Sequence, residues 1–135
     1  MSVEQGSDQV GSPDEASVEV VRVVEQPIEQ VWSRLTQTEG IEAFLGQGAT
    51  LGDKGDAWRA ADGTFGVTRS YHPQEQVRVS WHADDDAPAT LVDLQLAAQG
   101  EGTQLVLRHE HLPADADRAG LAQRWEDALT RLTSG

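Results

Sequence analysis

The chain has no cysteine, a single lysine (Lys54) and few aromatic residues, which make up 5% of its 135 positions. Without cysteine there can be no disulfide framework, thiolate zinc centre or cysteine nucleophile. No apolar run approaches the roughly eighteen residues a membrane helix needs, so no membrane span is expected. The opening residues carry Glu4, Asp8, Asp14 and Glu15 and lack a basic stretch followed by an apolar one. No secretory signal is readable there, and a cytoplasmic location is expected. Ten basic side chains face 23 acidic ones, a formal net charge of −13, and the arginines are scattered. Such a surface repels a phosphate backbone, which argues against nucleic-acid partners. The acidity reads first as a well solvated surface and second as a docking surface for a basic protein.

What is present is an ordered succession of periodicities. Residues 1–16 mix glycine, proline, serine and acids without apolar periodicity, which predicts a flexible acidic tail ahead of one domain over 17–135. The valine-rich stretch 17–25 reads as a strand, and it runs into Pro27, a residue suited to a helix start. Ile28, Val31, Trp32 and Leu35 then recur at helical spacing. A second short helix is expected over 39–45, ending before Gly46.

From Ala49 to Leu112 the pattern changes to five or six strands, separated by turns at Gly52-Asp53, Asp62-Gly63, His72-Pro73, 84–88 and 100–102. These connections are too short for helical crossovers, so the strands form an antiparallel meander. With the first strand the sheet would have six or seven. Alternation puts Val77, Val79 and Trp81 on one face, with Val92, Leu94 and Leu96, and opposes Asp93 and Gln95 to them. Leu105, Leu107, His109 and His111 share parity, so both histidines are expected to continue the apolar face. Leu121, Trp125, Ala128, Leu129 and Leu132 form the stripe of a closing helix that begins near Asp115 or Asp117. The fold class is therefore α+β: a curved antiparallel sheet, two short helices after its first strand, and a long C-terminal helix across the concave face.

The motifs that could carry chemistry are few. His109-Glu110-His111 points two imidazoles one way on a strand, with His82, Asp93 and Glu126 as candidate further donors to a metal. Hydrogen-bonded histidines at the sheet's end are the simpler expectation, and no metal is assigned. Asp84-Asp85-Asp86 lacks the spacing of a calcium loop, and the glycines between 46 and 66 make neither a Walker nor a dinucleotide fingerprint. No cofactor is implied. No Gly-x-Ser-x-Gly is present, so an enzyme would have to use His109, His111 or Tyr71 as acid–base groups. Trp58, Phe65, Tyr71, Trp81, Leu121 and Trp125 are the expected lining of a small hydrophobic ligand's cavity between sheet and helix, with Arg69, His109 and His111 as polar handles. Core filling is the alternative for the same aromatics.

Several segments together resemble a known family. Residues 21–36, Val-Arg-Val-Val-Glu-Gln-Pro-Ile-Glu-Gln-Val-Trp-Ser-Arg-Leu-Thr, are similar to the opening of START-like (SRPBCC, helix-grip) proteins. Tyr71-His72-Pro73 through Val77–Trp81, Gly102–His109 and Trp125–Leu132 extend the likeness to the branch named after the C-terminal domain of the Hsp90 ATPase activator (AHSA1-like). Phe44-Leu45 stands where that branch often has a tryptophan pair. The resemblance implies a helix-grip fold. It also implies one of several roles: binding a hydrophobic or amphipathic ligand, a co-chaperone-like or stress-related interaction with a chaperone or other protein, or cyclase- and aromatase-like catalysis.

Overall fold

A computed structural model of the chain describes residues 17–114 and 116–133. The tail expected over 1–16 and Asp115, one of two expected starts of the last helix, lie outside the described residues. Strand β1 spans Val18–Val24, with Val18 and Val20 buried on its inner face. Pro27 follows in extended conformation, and its carbonyl accepts from the amides of Gln30 and Val31. Helix α1, Ile28–Leu35, buries Val31, Trp32 and Leu35, the stripe that the sequence spacing marks.

Helix α2, Thr38–Leu45, lies close against α1 and ends at Gly46, whose φ of 122° a side chain would strain. Gly40 permits the close approach: a Cβ there would overlap the carbonyl oxygen of Arg34. Gly40→Ala is accordingly expected to cost about 2 kcal/mol, since the helices must separate to admit one methyl group. Urea unfolding measures this, and an unchanged midpoint would show that α1 and α2 part without cost.

Five further strands follow: β2 Ala57–Arg59, β3 Phe65–His72, β4 Gln76–Trp81, β5 Thr90–Gln99 and β6 Gly102–Glu110. All neighbouring pairs are antiparallel, and the order across the sheet is β1-β6-β5-β4-β3-β2. Among the described residues the sheet has six strands, the lower of the two expected counts. Registered partners carry one apolar row across the inner face: Val20, Leu107, Leu94, Val77 and Tyr71. On the outer face the row runs Glu19, Arg108, Asp93 and Arg78, so cross-strand neighbours alternate in charge. Asp93 is consequently buried although it faces outward; its carboxylate accepts from Gln76 and Gln95 and pairs with Arg78 at 3.5 Å.

Helix α3, Arg118–Thr133, closes the chain. The Asp117 carboxylate accepts from the Gly120 amide at 3.0 Å, which caps its first turn. Trp125, Ala128, Leu129 and Leu132 are buried against the sheet and α2. At the far end Gln26 donates to the Thr133 carbonyl at 2.6 Å and Arg22 to its hydroxyl at 3.1 Å. Helix α3 is thereby tied to the edge strand. None of the helices described is long and apolar enough to cross a membrane.

Candidate functional site

The inner face of the sheet and α3 meet in a cluster of Trp81, His109 and Trp125. Trp125 is fully buried, with ring centroids 6.0 Å from Trp81, 5.7 Å from His109 and 6.2 Å from Phe44. His109 and Trp81 meet edge-on at 4.8 Å. Trp125 therefore fills the space at this point, where the sequence left both a cavity wall and core filling open.

A chain of hydrogen bonds defines the state of His109. The Thr90 hydroxyl donates its proton to the Trp81 carbonyl at 2.6 Å, so Thr90 Oγ1 must accept from His109 Nε2–H at 2.7 Å. Nδ1 is left as an acceptor, and it takes the Trp125 indole N–H at 3.1 Å. Burial, reinforced by the charge of Arg124, lowers the His109 pKa to about 4. The imidazole is therefore neutral at pH 7 with both nitrogens engaged, leaving neither free to bind a metal or shuttle a proton. Among the described residues no group of three or more His, Cys, Asp or Glu side chains is arranged to hold a metal.

Arg124 covers this cluster from outside. Its guanidinium carbon lies 5.3 Å from the Trp81 ring centroid and 5.4 Å from that of Trp125. Asp62, in the turn between β2 and β3, pairs with it at 3.2 Å. Burial pushes the Asp62 carboxyl upward, but hydrogen bonds from Thr64 and the Arg124 charge outweigh this and hold it below the usual carboxylate value. Beyond Arg124 lies a cleft of about 700 Å³ between α2 and α3, with Phe44 and Ala128 among its apolar lining and Arg34, Arg124 and Arg131 on its rim.

The other expected site residues are dispersed. Trp58 is buried on β2 opposite Gly66, which adjoins Trp81 on β4. A Cβ at Gly66 would overlap the Ser80 carbonyl and approach Trp58 Nε1 to 2.9 Å, so glycine lets the Trp58 indole lie over the strand. Phe65 faces the opposite way, stacked on His82 at 4.4 Å beneath Arg59. Arg69 is exposed at a bulge in β3, in a shallow depression with Lys54 and Arg78. Tyr71 packs edge-on against Trp32 at 5.4 Å near α1; burial and Asp53 raise its pKa. Leu121 is half-buried in the first part of α3. His111 does not continue the apolar face: β6 ends at Glu110, and His111 is exposed at a φ of 64°. Sequence reasoning missed Thr90, Asp62 and Arg124; a turn aspartate and an arginine off the apolar stripe carry no periodic signal.

An antiparallel sheet curled onto a C-terminal helix, with two short helices after the first strand, defines a helix-grip protein. Solved structures share this architecture. CalU16 from Micromonospora echinospora superposes with a TM-score of 0.74 at 24% identity, over 86% of this chain and 73% of CalU16. DynU16, of the dynemicin biosynthetic locus, gives 0.73 at 22% over 87% of this chain and 45% of its own, so this chain spans under half of DynU16. The Aha1 dimer from Colwellia psychrerythraea gives 0.70 at 18%, over 86% and 92% respectively. Among curated proteins none matches by sequence. The family model for Activator of Hsp90 ATPase homolog 1-like protein matches residues 25–134. The chain belongs to that family.

Proposed function

We propose that this chain binds a small amphipathic molecule between its sheet and α3, with oxygen acceptors turned toward the sheet. The observation that carries the reading is a set of buried polar groups around Gly66. Trp58 Nε1, Trp81 Nε1 and Thr68 Oγ1 are buried and have no hydrogen-bond partner among the described residues. They occupy neighbouring positions around Gly66: Trp58 opposite it, Trp81 on the adjoining strand, and Thr68 two residues along the same face. A buried donor without a partner costs about 1–3 kcal/mol. Three in one place are a poor way to build a core and a good way to receive carbonyl or hydroxyl oxygens. The packed contact of Trp125 with Trp81 means that the ligand enters by displacing side chains.

Nitrogen-15 NMR of the indole groups tests this. Titration with oxygen-bearing aromatic and acyl compounds should shift the Trp58 and Trp81 Nε1–H resonances and leave Trp32 unmoved. Native mass spectrometry of the purified protein should find a co-purified small molecule. If no compound moves the indole signals and the native mass equals that of the bare chain, the ligand-binding reading fails.

A further inference from the structure

Arg124 is placed as an anion anchor. Its guanidinium has an aromatic surface on one side and the cleft on the other, and it remains about one-third exposed. A carboxylate already occupies it: Asp62 Oδ2 at 3.2 Å. The other oxygen, Oδ1, accepts from the Thr64 hydroxyl at 2.7 Å and the Thr64 amide at 3.1 Å. The turn thus satisfies Asp62 without Arg124, and an exposed pair of this kind is weak. A second carboxylate can exchange with it at little cost. Phe44, Ala43 and Ala128 provide apolar surface beside the anchor.

We propose that the α2–α3 cleft takes an amphipathic organic monocarboxylate, whose carboxylate replaces Asp62 on Arg124 while its apolar body rests on Phe44, Ala43 and Ala128. This rests on the ligand-binding reading above and names the ligand class, with the carboxylate end held in the cleft that adjoins Trp81 and Trp125 through Arg124. The acidic residues around the cleft set the charge. Glu39, Glu42, Asp62 and Asp127 stand beside the three arginines, giving the lining a formal charge of −1. Glu42 accepts from the Gly48 amide at 2.8 Å and Asp127 from Gln123 at 3.1 Å. That net negative charge penalises each further charge on a ligand, so a monocarboxylate is disfavoured less than a phosphate monoester or dicarboxylate.

The test compares 2-naphthoate with its neutral isostere 2-naphthamide by tryptophan fluorescence at pH 7.5. Naphthoate should bind about tenfold more tightly than the amide, as a charge-assisted fork contact allows. Arg124→Gln should abolish that preference, and Arg124→Lys should retain part of it. Asp62→Asn should tighten naphthoate by up to about fivefold and leave the amide unchanged, because an exposed competitor of modest strength has been removed. The indole Nε1–H resonance of Trp125 reports that each variant keeps the packed junction. Equal affinity for both probes, insensitive to Arg124→Gln, overturns the anion anchor and leaves ligand binding intact. If neither probe binds, the anion anchor falls, and ligand binding stands or falls separately on the wider indole titration and the native mass.

Discussion

Trp125→Ala should lower the free energy of unfolding by about 4 kcal/mol, the middle of the range for removing a fully buried aromatic side chain. Trp125 is 0% exposed and touches three other rings: Phe44, Trp81 and His109. Its loss leaves a cavity between rigid partners, because Trp81 belongs to a strand and Phe44 to a helix that Gly40 seats against α1. It also removes the donor to His109 Nδ1 and part of the surface under Arg124. For a domain whose whole stability lies near 5–15 kcal/mol, such a change brings unfolding close to ordinary temperatures. Trp125→Phe separates the contributions: it keeps most of the ring contact and deletes the N–H, so about 1–3 kcal/mol of the loss should persist. Urea denaturation at pH 7.5 measures both variants. A cost below about 1 kcal/mol for the alanine variant would mean that the helix and sheet collapse freely onto the gap, contrary to a jigsaw-packed junction.

The second large effect is acid sensitivity from one residue. His109 has its pKa lowered to about 4 by burial and then by the Arg124 charge, whereas an unfolded chain titrates near the ordinary value of 6.5. Between those values the unfolded state binds more protons than the folded state, so stability rises with pH across the window. The contribution is complete above pH 6.5 and is lost as the pH falls toward 4. The expected loss from this group is about 2–3 kcal/mol between pH 7 and pH 4.5. Carboxylates also titrate at the lower end, so the comparison is made against His109→Gln, which should lose correspondingly less over the same range. Parallel pH dependence in the two proteins would show that His109 charges in place. That would contradict the hydrogen-bond chain in which Nδ1 must remain an acceptor for Trp125.

Helix α1 was legible to the residue, because Ile28, Val31, Trp32 and Leu35 state its period and Pro27 its start. The strands were legible because the turns around Asp62-Gly63 and 100–102 interrupt a period-two pattern. Helix α3 starts earlier than its apolar stripe: Arg118, Ala119 and Gly120 are exposed and carry no pattern, so only the Asp117 cap marks the boundary. His111 was misread because parity was carried one residue past the strand, where a left-handed turn redirects the side chain. Asp93 was assigned to its face correctly, yet its burial depends on Gln76, Arg78 and Gln95, which pairing brings around it.

At the candidate site, Trp81, His109 and Trp125 were each identifiable as inward-facing, but their meeting was not. Phe65 and Arg69 have the parity opposite to that of Gly66 and Thr68, so strict alternation places them outside the grip. Trp58 belongs to the interior because its register partner is a glycine. That Trp58, Trp81 and Thr68 lack partners among the described residues becomes visible only when every neighbouring acceptor has a position.

What the sequence by itself determined is the inventory and its order: strand, two helices, meander, closing helix, each with a known apolar face. Periodicity is a local property, fixed by 3.6 residues per helical turn and two per strand repeat. Whether the sheet and α3 enclose a space or fill it was decided by tertiary structure. That outcome depends on how closely α3 settles on the sheet, and it is set by groups remote in the chain: the Trp125–His109–Thr90 hydrogen bonds inside and the Arg124–Asp62 pair outside. Bond geometry across such contacts is a property of the packed molecule, and no spacing in the chain encodes it.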